Sequence, residues 1–169
     1  MSEKRILVVY YTSAGSTGKV ARALATELGA DLEAIQPEKR VDVDIKGKGL
    51  RNFGNMGRVV MGGRRQRTVP LAPAQHDPAA YALVVVGTPV YANTLPAEPR
   101  SYLVQQRDKL AKVAFFCTGE DPANAHVFDL MAEACGRTPV AIQPFHAPRV
   151  KADDIADDLT AFAARLALD

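Results

Sequence analysis

The sequence has few cysteines and no long apolar run, and both absences narrow the class of protein. Its 169 residues include only two cysteines, Cys117 and Cys135. They make neither a disulfide framework nor a metal site, so they favour a reducing compartment. No apolar run reaches the roughly 20 residues that cross a bilayer. The first apolar run, at residues 6–11, is too short for the core of a signal peptide. We therefore expect a cytoplasmic protein.

Recognisable catalytic and metal-binding spacings are also missing. The three histidines, His76, His126 and His146, lie far apart in sequence, so we expect no bound metal. No Ser-His-Asp set or pair of carboxylates indicates a hydrolase. Aromatic residues do not interleave with basic ones, and no nucleic-acid motif is present, which argues against DNA or RNA binding as the main role.

The charge is small in total but unevenly distributed. The formal net charge is +2, yet residues 37–69 hold nine Lys or Arg against three Asp or Glu, which leaves the remainder mildly acidic. We expect residues 39–67 to form a basic, partly irregular insertion between the second and third strands. Such a segment suits an anionic reductant, an acidic protein partner or a membrane surface. A solvated loop explains it at least as well.

The composition and the apolar pattern predict one α/β domain over residues 1–169. Apolar residues make up 47% and charged residues 24%, as in an ordinary globular protein. Short apolar runs recur at residues 6–11, 32–35, 82–86, 113–117 and 140–142. Most are continuous rather than alternating, which is typical of parallel strands covered on both faces.

Helical patterns separate these strands. Apolar spacing predicts four helices between and after the strands. One ends before Gly29, and one follows Pro96 and Pro99. A third begins at the N-cap Asp121, and the last begins near Asp153 and Asp154. Repeated right-handed strand–helix crossovers give an open, doubly wound parallel sheet with helices on both faces. Ligands bind such sheets at the carboxyl ends of the strands.

The loop after the first strand is rich in hydroxyl groups. It reads Thr12-Ser13-Ala14-Gly15-Ser16-Thr17 and leads into a helix. Free N–H groups and the positive end of the helix dipole make such a loop an anion site. Its spacing fits neither a Walker A loop nor a Gly-x-Gly-x-x-Gly turn. An ordinary turn with Ser16 or Thr17 as N-cap is an equally good interpretation.

The loop after the third strand carries a single aromatic residue. It contains Thr88, Pro89, Val90, Tyr91, Ala92 and Asn93. Tyr91 at its tip could stack on a planar ring in the ligand crevice. The alternative, in which Tyr91 packs on its own loop, is favoured for a lone tyrosine.

The loop after the fourth strand offers backbone amides and acidic groups. Thr118 and Gly119 could bring amides close to the edge of a ligand, and Glu120 and Asp121 would place negative charge nearby. A simple turn followed by a capped helix explains the same residues.

Taken together in this order, the three loops resemble those of the flavodoxin family, in particular small bacterial flavodoxin-like FMN-binding proteins. The matching stretches are residues 6–17 with Val20 and Ala21, residues 84–92 and residues 112–118. The resemblance implies a three-layer doubly wound sandwich with a five-stranded parallel sheet in the order 2-1-3-4-5, and FMN as cofactor. It implies that Thr12, Ser13, Ala14, Gly15, Ser16 and Thr17 wrap the phosphate. Residues 88–93 would line one face of the isoalloxazine ring with Tyr91 stacking, and Thr118, Gly119 and Glu120 would approach its other side.

Three functions remain open at this point. The first is an oxidoreductase that passes electrons from NAD(P)H or a reductase to a quinone-like or protein acceptor. The second is a one-electron carrier, although a net charge of +2 does not suit the acidic docking face of such carriers. The third is a flavin-free interaction module, supported only by Ala14, which stands where the family carries a hydroxyl.

Overall fold

The structure, a computed structural model, describes residues 5–38, 67–121 and 126–167. They contain a five-stranded parallel sheet in the order β2-β1-β3-β4-β5, as predicted. The strands are β1 Ile6–Tyr10, β2 Asp31–Ala34, β3 Leu83–Pro89, β4 Lys112–Gly119 and β5 Ile142–His146. Residues 39–66 of the predicted basic insertion lie outside the described residues.

Helices cover the sheet on both faces. They are α1 Ser16–Leu28, α2 Ala97–Gln106, α3 His126–Cys135, α4 Ala147–Lys151 and α5 Ala156–Leu166, with short 3-10 turns at Pro78–Ala80 and Arg107–Lys109. One buried cluster joins one face of the sheet to α2 and α3, and a second joins the other face to α1, α4 and α5. The predicted doubly wound architecture is therefore confirmed.

Burial on both faces explains the continuous apolar runs. In β1, Leu7 and Val9 belong to the cluster beneath α2 and α3, whereas Val8 between them belongs to the cluster beneath α1 and α5. Successive side chains of a strand point to opposite faces, so a strand covered on both sides needs apolar residues throughout. All seven residues of β3 are buried for the same reason.

The structure corrects the predicted fifth strand. It was expected at residues 140–142 but runs from Ile142 to His146, while Val140 is 55% exposed. The strand contains Pro144, which breaks the apolar pattern and is tolerated because β5 lies at the edge of the sheet. Phe145, almost fully buried, holds the strand in place.

The last helix begins close to the predicted position. The helix α5 begins at Ala156, two residues after Asp154, and the short helix α4 precedes it. Asp153 has a left-handed backbone (φ 58°), and the Asp154 N–H donates to the Arg149 carbonyl at 2.9 Å, so both residues belong to the turn between the two helices. The predicted opening of α3 at Asp121 runs into residues 122–125, which lie outside the described residues.

Candidate functional site

The loops after β1, β3 and β4 meet at the carboxyl edge of the sheet. The Thr17 hydroxyl, in the first turn of α1 directly after the first loop, lies 2.7 Å from the Thr118 hydroxyl near the end of β4. The Val90 N–H, from the second loop, donates to the Thr118 carbonyl at 2.9 Å. The three loops that the sequence singled out therefore surround one place in the fold, as expected for adjacent parallel strands.

The first loop leaves the N-terminus of α1 open. Gly15 is the N-cap, in a left-handed conformation (φ 95°) that glycine adopts without strain, and no side chain caps the helix there. The Thr12 hydroxyl accepts from the Gly15 N–H at 3.1 Å and closes the loop. The alternative prediction of Ser16 or Thr17 as N-cap is therefore wrong.

This open helix end has the chemistry of an anion site. The N–H groups of Ser16, Thr17 and Gly18 lie in the first turn, where no preceding helical carbonyl can accept from them. No acidic residue occupies that first turn to repel an anion. The cation that follows, Lys19, is already paired through Nζ with Asp153 at 2.6 Å. Among the described residues, the amides of this turn and the hydroxyls of the loop therefore supply donors for an anion, and the Arg22 guanidinium lies beside Gly18 of the same turn.

The second loop is a tight turn with two residues at its tip. The Thr94 N–H donates to the Tyr91 carbonyl at 3.0 Å, and Ala92 and Asn93 between them both have positive φ (45° and 63°). Positive φ at both central positions is the geometry of a type I′ turn. Ala92 and Asn93 are exposed, and Tyr91 is half-buried at the base of the turn.

Glu98, in the first turn of α2, links the tyrosines beside this loop. Burial raises the pKa of Tyr11, and the nearby Glu98 carboxylate, which accepts a hydrogen bond from the Tyr11 hydroxyl, raises it further. Burial and the same carboxylate also raise the pKa of Tyr91. Both phenols are therefore neutral near pH 7. The sequence reasoning missed Glu98, although an acidic residue in the first turn of a helix is a recognisable signal.

The predicted site residues divide into an accessible and a buried group. Accessible or half-buried at the edge are Thr12, Ser13, Ala14, Gly15, Ser16, Val90, Tyr91, Ala92, Asn93, Gly119 and Glu120. Buried are Thr17, Thr88, Pro89 and Thr118. Several of these residues were expected in loops but belong to regular elements. Thr88 and Pro89 lie in β3, Thr118 and Gly119 in β4, and Ser16 and Thr17 in α1. The Thr88 hydroxyl donates to the Pro89 carbonyl at 2.9 Å.

The two thiols in the described part of the chain, Cys117 and Cys135, are both buried. Burial raises the pKa of the Cys117 thiol to about 12, so it stays protonated and unreactive. Burial also raises the pKa of Cys135.

Within the described ranges, no group of three or more His, Cys, Asp or Glu residues could hold a metal ion. None of the helices described there is long and apolar enough to cross a membrane.

Solved structures share this fold. The flavoprotein from Lactobacillus acidophilus NCFM in complex with FMN is 19% identical, with a TM-score of 0.65 over 93% of this chain and 99% of that one. Oxidised flavodoxin 2 from Bacillus cereus is 15% identical, with a TM-score of 0.51 over 95% and 99%. The two-electron reduced Megasphaera elsdenii flavodoxin is 16% identical, with a TM-score of 0.53 over 96% and 99%. At these identities the likeness concerns the fold alone.

Sequence comparison identifies the family. No curated protein matches the chain. A family model described as Flavodoxin, however, matches residues 5–138, which is most of the chain. This match includes all three loops at the carboxyl edge of the sheet, in the order that the resemblance required. The chain therefore belongs to the flavodoxin family.

Proposed function

We propose that this chain is an FMN-binding redox protein, with its cofactor held by the loops after β1, β3 and β4. The observation that carries the proposal is the uncapped N-terminus of α1, which opens where the other two loops converge. Family membership and a structural neighbour that binds FMN support the same cofactor.

The donor set of the first loop fits a phosphate monoester. The N–H groups of Ser16, Thr17 and Gly18 point out of the first helical turn, and the helix dipole favours negative charge there by about 0.3–1 kcal/mol. Hydroxyls of Thr12, Ser13 and Ser16 can donate to phosphate oxygens as well. Ala14, at the exposed tip, supplies no hydroxyl but leaves these donors in place.

The other two loops fit the two sides of a flat ring. Tyr91 is half-buried and kept neutral, so its ring can stack on an aromatic system without a competing charge. Gly119, at the end of β4, leaves its backbone accessible for a ring edge, and Glu120 follows it. FMN bound here would supply the electron transfer, while the protein orients it and tunes its potential.

We propose further that the protein acts as an oxidoreductase, taking electrons from NAD(P)H or a reductase and passing them to a quinone-like or protein acceptor. The net charge of +2 supports this role over a carrier, because a carrier that docks on basic partners needs an acidic face. The basic segment 39–67, an insertion in a single domain over residues 1–169, would suit an anionic reductant. A cytoplasmic, reducing setting suits the two free thiols.

Two measurements test the proposal in sequence. The cofactor is first released from the purified protein and identified by mass. NADH and NADPH oxidation with a quinone acceptor is then followed with the holoprotein, against free FMN at the same concentration. Turnover well above free FMN is expected. Turnover of the quinone that requires an added reductase also fits the proposal, whereas one-electron exchange without turnover of the quinone would make the protein a carrier. A preparation that neither contains nor takes up FMN would overturn the proposal in favour of the flavin-free module.

A further inference from the structure

An arginine side chain lies across the first turn of α1. Arg22 itself stands in the second turn, yet its Nη1 atom lies 3.2 Å from the point that a Cβ atom of Gly18 would occupy. Residues four apart share one face of a helix, and long side chains on a helix lean toward its N-terminus. Arg22 therefore carries its charge back to the end of α1 at which the proposed phosphate site opens.

The same contact brings the arginine next to the first loop. Cε2 of Tyr10 and Cγ2 of Thr12 lie 3.2 and 3.3 Å from that point, so the guanidinium, the Tyr10 ring and the Thr12 side chain surround the buried Gly18. The Thr12 hydroxyl is the group that accepts from the Gly15 N–H within the loop. Because Gly18 has no side chain, the guanidinium has room beside the loop. Arg22 thus contributes to the surroundings of the first loop without being part of it.

The positive charge of Arg22 is unpaired within the part of the chain that the structure describes. Its side chain is exposed, and no described carboxylate forms an ion pair with it. Lys19, by contrast, is paired with Asp153 at 2.6 Å. A cation beside the N-terminus of a helix is disfavoured by the helix dipole, and the first turn of α1 holds no acidic residue to offset this. An anion bound at that end would relieve the repulsion.

We propose that Arg22 is the cation that recognises the phosphate of the bound cofactor, and that its charge makes the first loop select a phosphorylated flavin over an unphosphorylated one. The inference rests on the proposed FMN site. A phosphate monoester carries close to two negative charges near pH 7, whereas a helix end supplies only a partial positive charge. A guanidinium stays charged at this pH and offers several N–H donors to phosphate oxygens.

Riboflavin, which lacks the phosphate, reveals this role. The apoprotein and its Arg22→Gln variant, which removes the charge but keeps much of the side-chain length, are titrated with FMN and with riboflavin at low and high salt. Arg22→Gln should raise the dissociation constant of FMN about two- to fivefold at low salt, as expected for an exposed ion pair. The dissociation constant of riboflavin should not change. The effect on FMN should shrink at high salt, because salt screens exposed charges.

Two further variants serve as controls. Arg137 is an exposed arginine that follows α3, and α3 runs back from the carboxyl edge of the sheet toward the start of β5. Arg137→Gln therefore makes the same change in net charge far from the site and should bind FMN as the wild type does. Arg22→Lys keeps the charge and should lose less affinity for FMN than Arg22→Gln. Urea unfolding of each apoprotein checks that the variants are folded.

Each outcome decides for or against the inference. Unchanged FMN affinity in Arg22→Gln at low salt would overturn it, and so would a loss that riboflavin, Arg137→Gln or Arg22→Lys shares in full. If riboflavin binds too weakly to measure, the comparison of Arg22→Gln with Arg137→Gln at the two salt concentrations still decides. A wild-type protein that binds neither flavin would instead remove the proposed cofactor site itself.

Discussion

The ring of Phe116 in β4 lies directly over Gly87 in β3, its partner across the sheet. A Cβ atom at Gly87 would fall 2.0 Å from Cζ of that ring, well inside contact distance. Gly87 also accepts a hydrogen bond from the Tyr11 N–H at 3.1 Å, at the start of the first loop. The absence of a side chain here thus lets an aromatic ring fill the core directly below the site.

The first prediction follows from this contact. Gly87→Ala should lower the free energy of unfolding by about 1–3 kcal/mol, because Phe116 must leave its rotamer or push the strands apart. Urea unfolding of the apoprotein measures the change. Gly119→Ala is the matched control, since its Cβ would lie 3.5 Å from Cβ of Val90, an ordinary contact. Equal effects of the two substitutions would contradict this explanation.

The second prediction concerns the turn that carries Tyr91. Ala92 has a positive φ of 45°, which an L-residue with a Cβ atom adopts at a cost of about 1–2 kcal/mol. Ala92→Gly should therefore raise the free energy of unfolding by about 0.5–1 kcal/mol, after the greater freedom of glycine in the unfolded chain is subtracted.

The control for this turn is the exposed Ala164 in α5. Ala164→Gly should change stability in the opposite direction, by about 1 kcal/mol, as expected within a helix. Thermal unfolding of both variants gives the comparison. A loss of stability in Ala92→Gly comparable to that in Ala164→Gly would show that the left-handed conformation stores no strain.

The third prediction concerns alkaline pH. The pKa values of Tyr11 and Tyr91 are raised in the folded state, so the folded protein binds their protons more tightly than the unfolded chain does. Their contribution to stability is complete below the unfolded pKa of about 10 and declines as pH rises above it. Glu98→Gln removes the carboxylate charge and should lower both pKa values.

Tyrosinate absorbance during a pH titration measures this effect. The ionisation of Tyr91, assigned by its loss in Tyr91→Phe, should occur at lower pH in Glu98→Gln than in the wild type. Glu133, in α3, is a control carboxylate that contributes to neither tyrosine. An unchanged titration in Glu98→Gln, or an equal shift in Glu133→Gln, would contradict the assigned role of Glu98.

The fourth prediction concerns the ion pair beside the phosphate loop. Lys19 is held by Asp153 at 2.6 Å, and both side chains are substantially exposed. Asparagine tolerates the positive φ of 58° at this position, so Asp153→Asn keeps the backbone as it is. It also removes the carboxylate, which leaves the Lys19 ammonium available to an anion at the N-terminus of α1. FMN should bind about two- to fivefold more tightly at low salt, with riboflavin unchanged. A gain that persists at high salt, or that riboflavin shares, would argue against a charge effect.

The sequence predicts the sheet and the three loops because each depends on local pattern. Continuous apolar runs such as Leu83–Val86 identify strands covered on both faces, and the carboxyl ends of parallel strands must meet at one edge. The fifth strand was misplaced because its burial depends on Phe145 alone, amid Gln143 and Pro144. The contacts of Tyr11 with Glu98 and of Thr17 with Thr118 join distant segments, which no local pattern can reveal.

The most direct test of the account follows the backbone amides of isotope-labelled apoprotein by NMR during titration with FMN and then with riboflavin. FMN should shift the amide signals of Ser16, Thr17 and Gly18 together with those of Tyr91 and Gly119. Riboflavin should shift the signals of Tyr91 and Gly119 and leave those of the first turn of α1 nearly unmoved. Identical changes with both ligands at Ser16–Gly18, or changes confined to other parts of the chain, would contradict a phosphate bound at the open end of that helix.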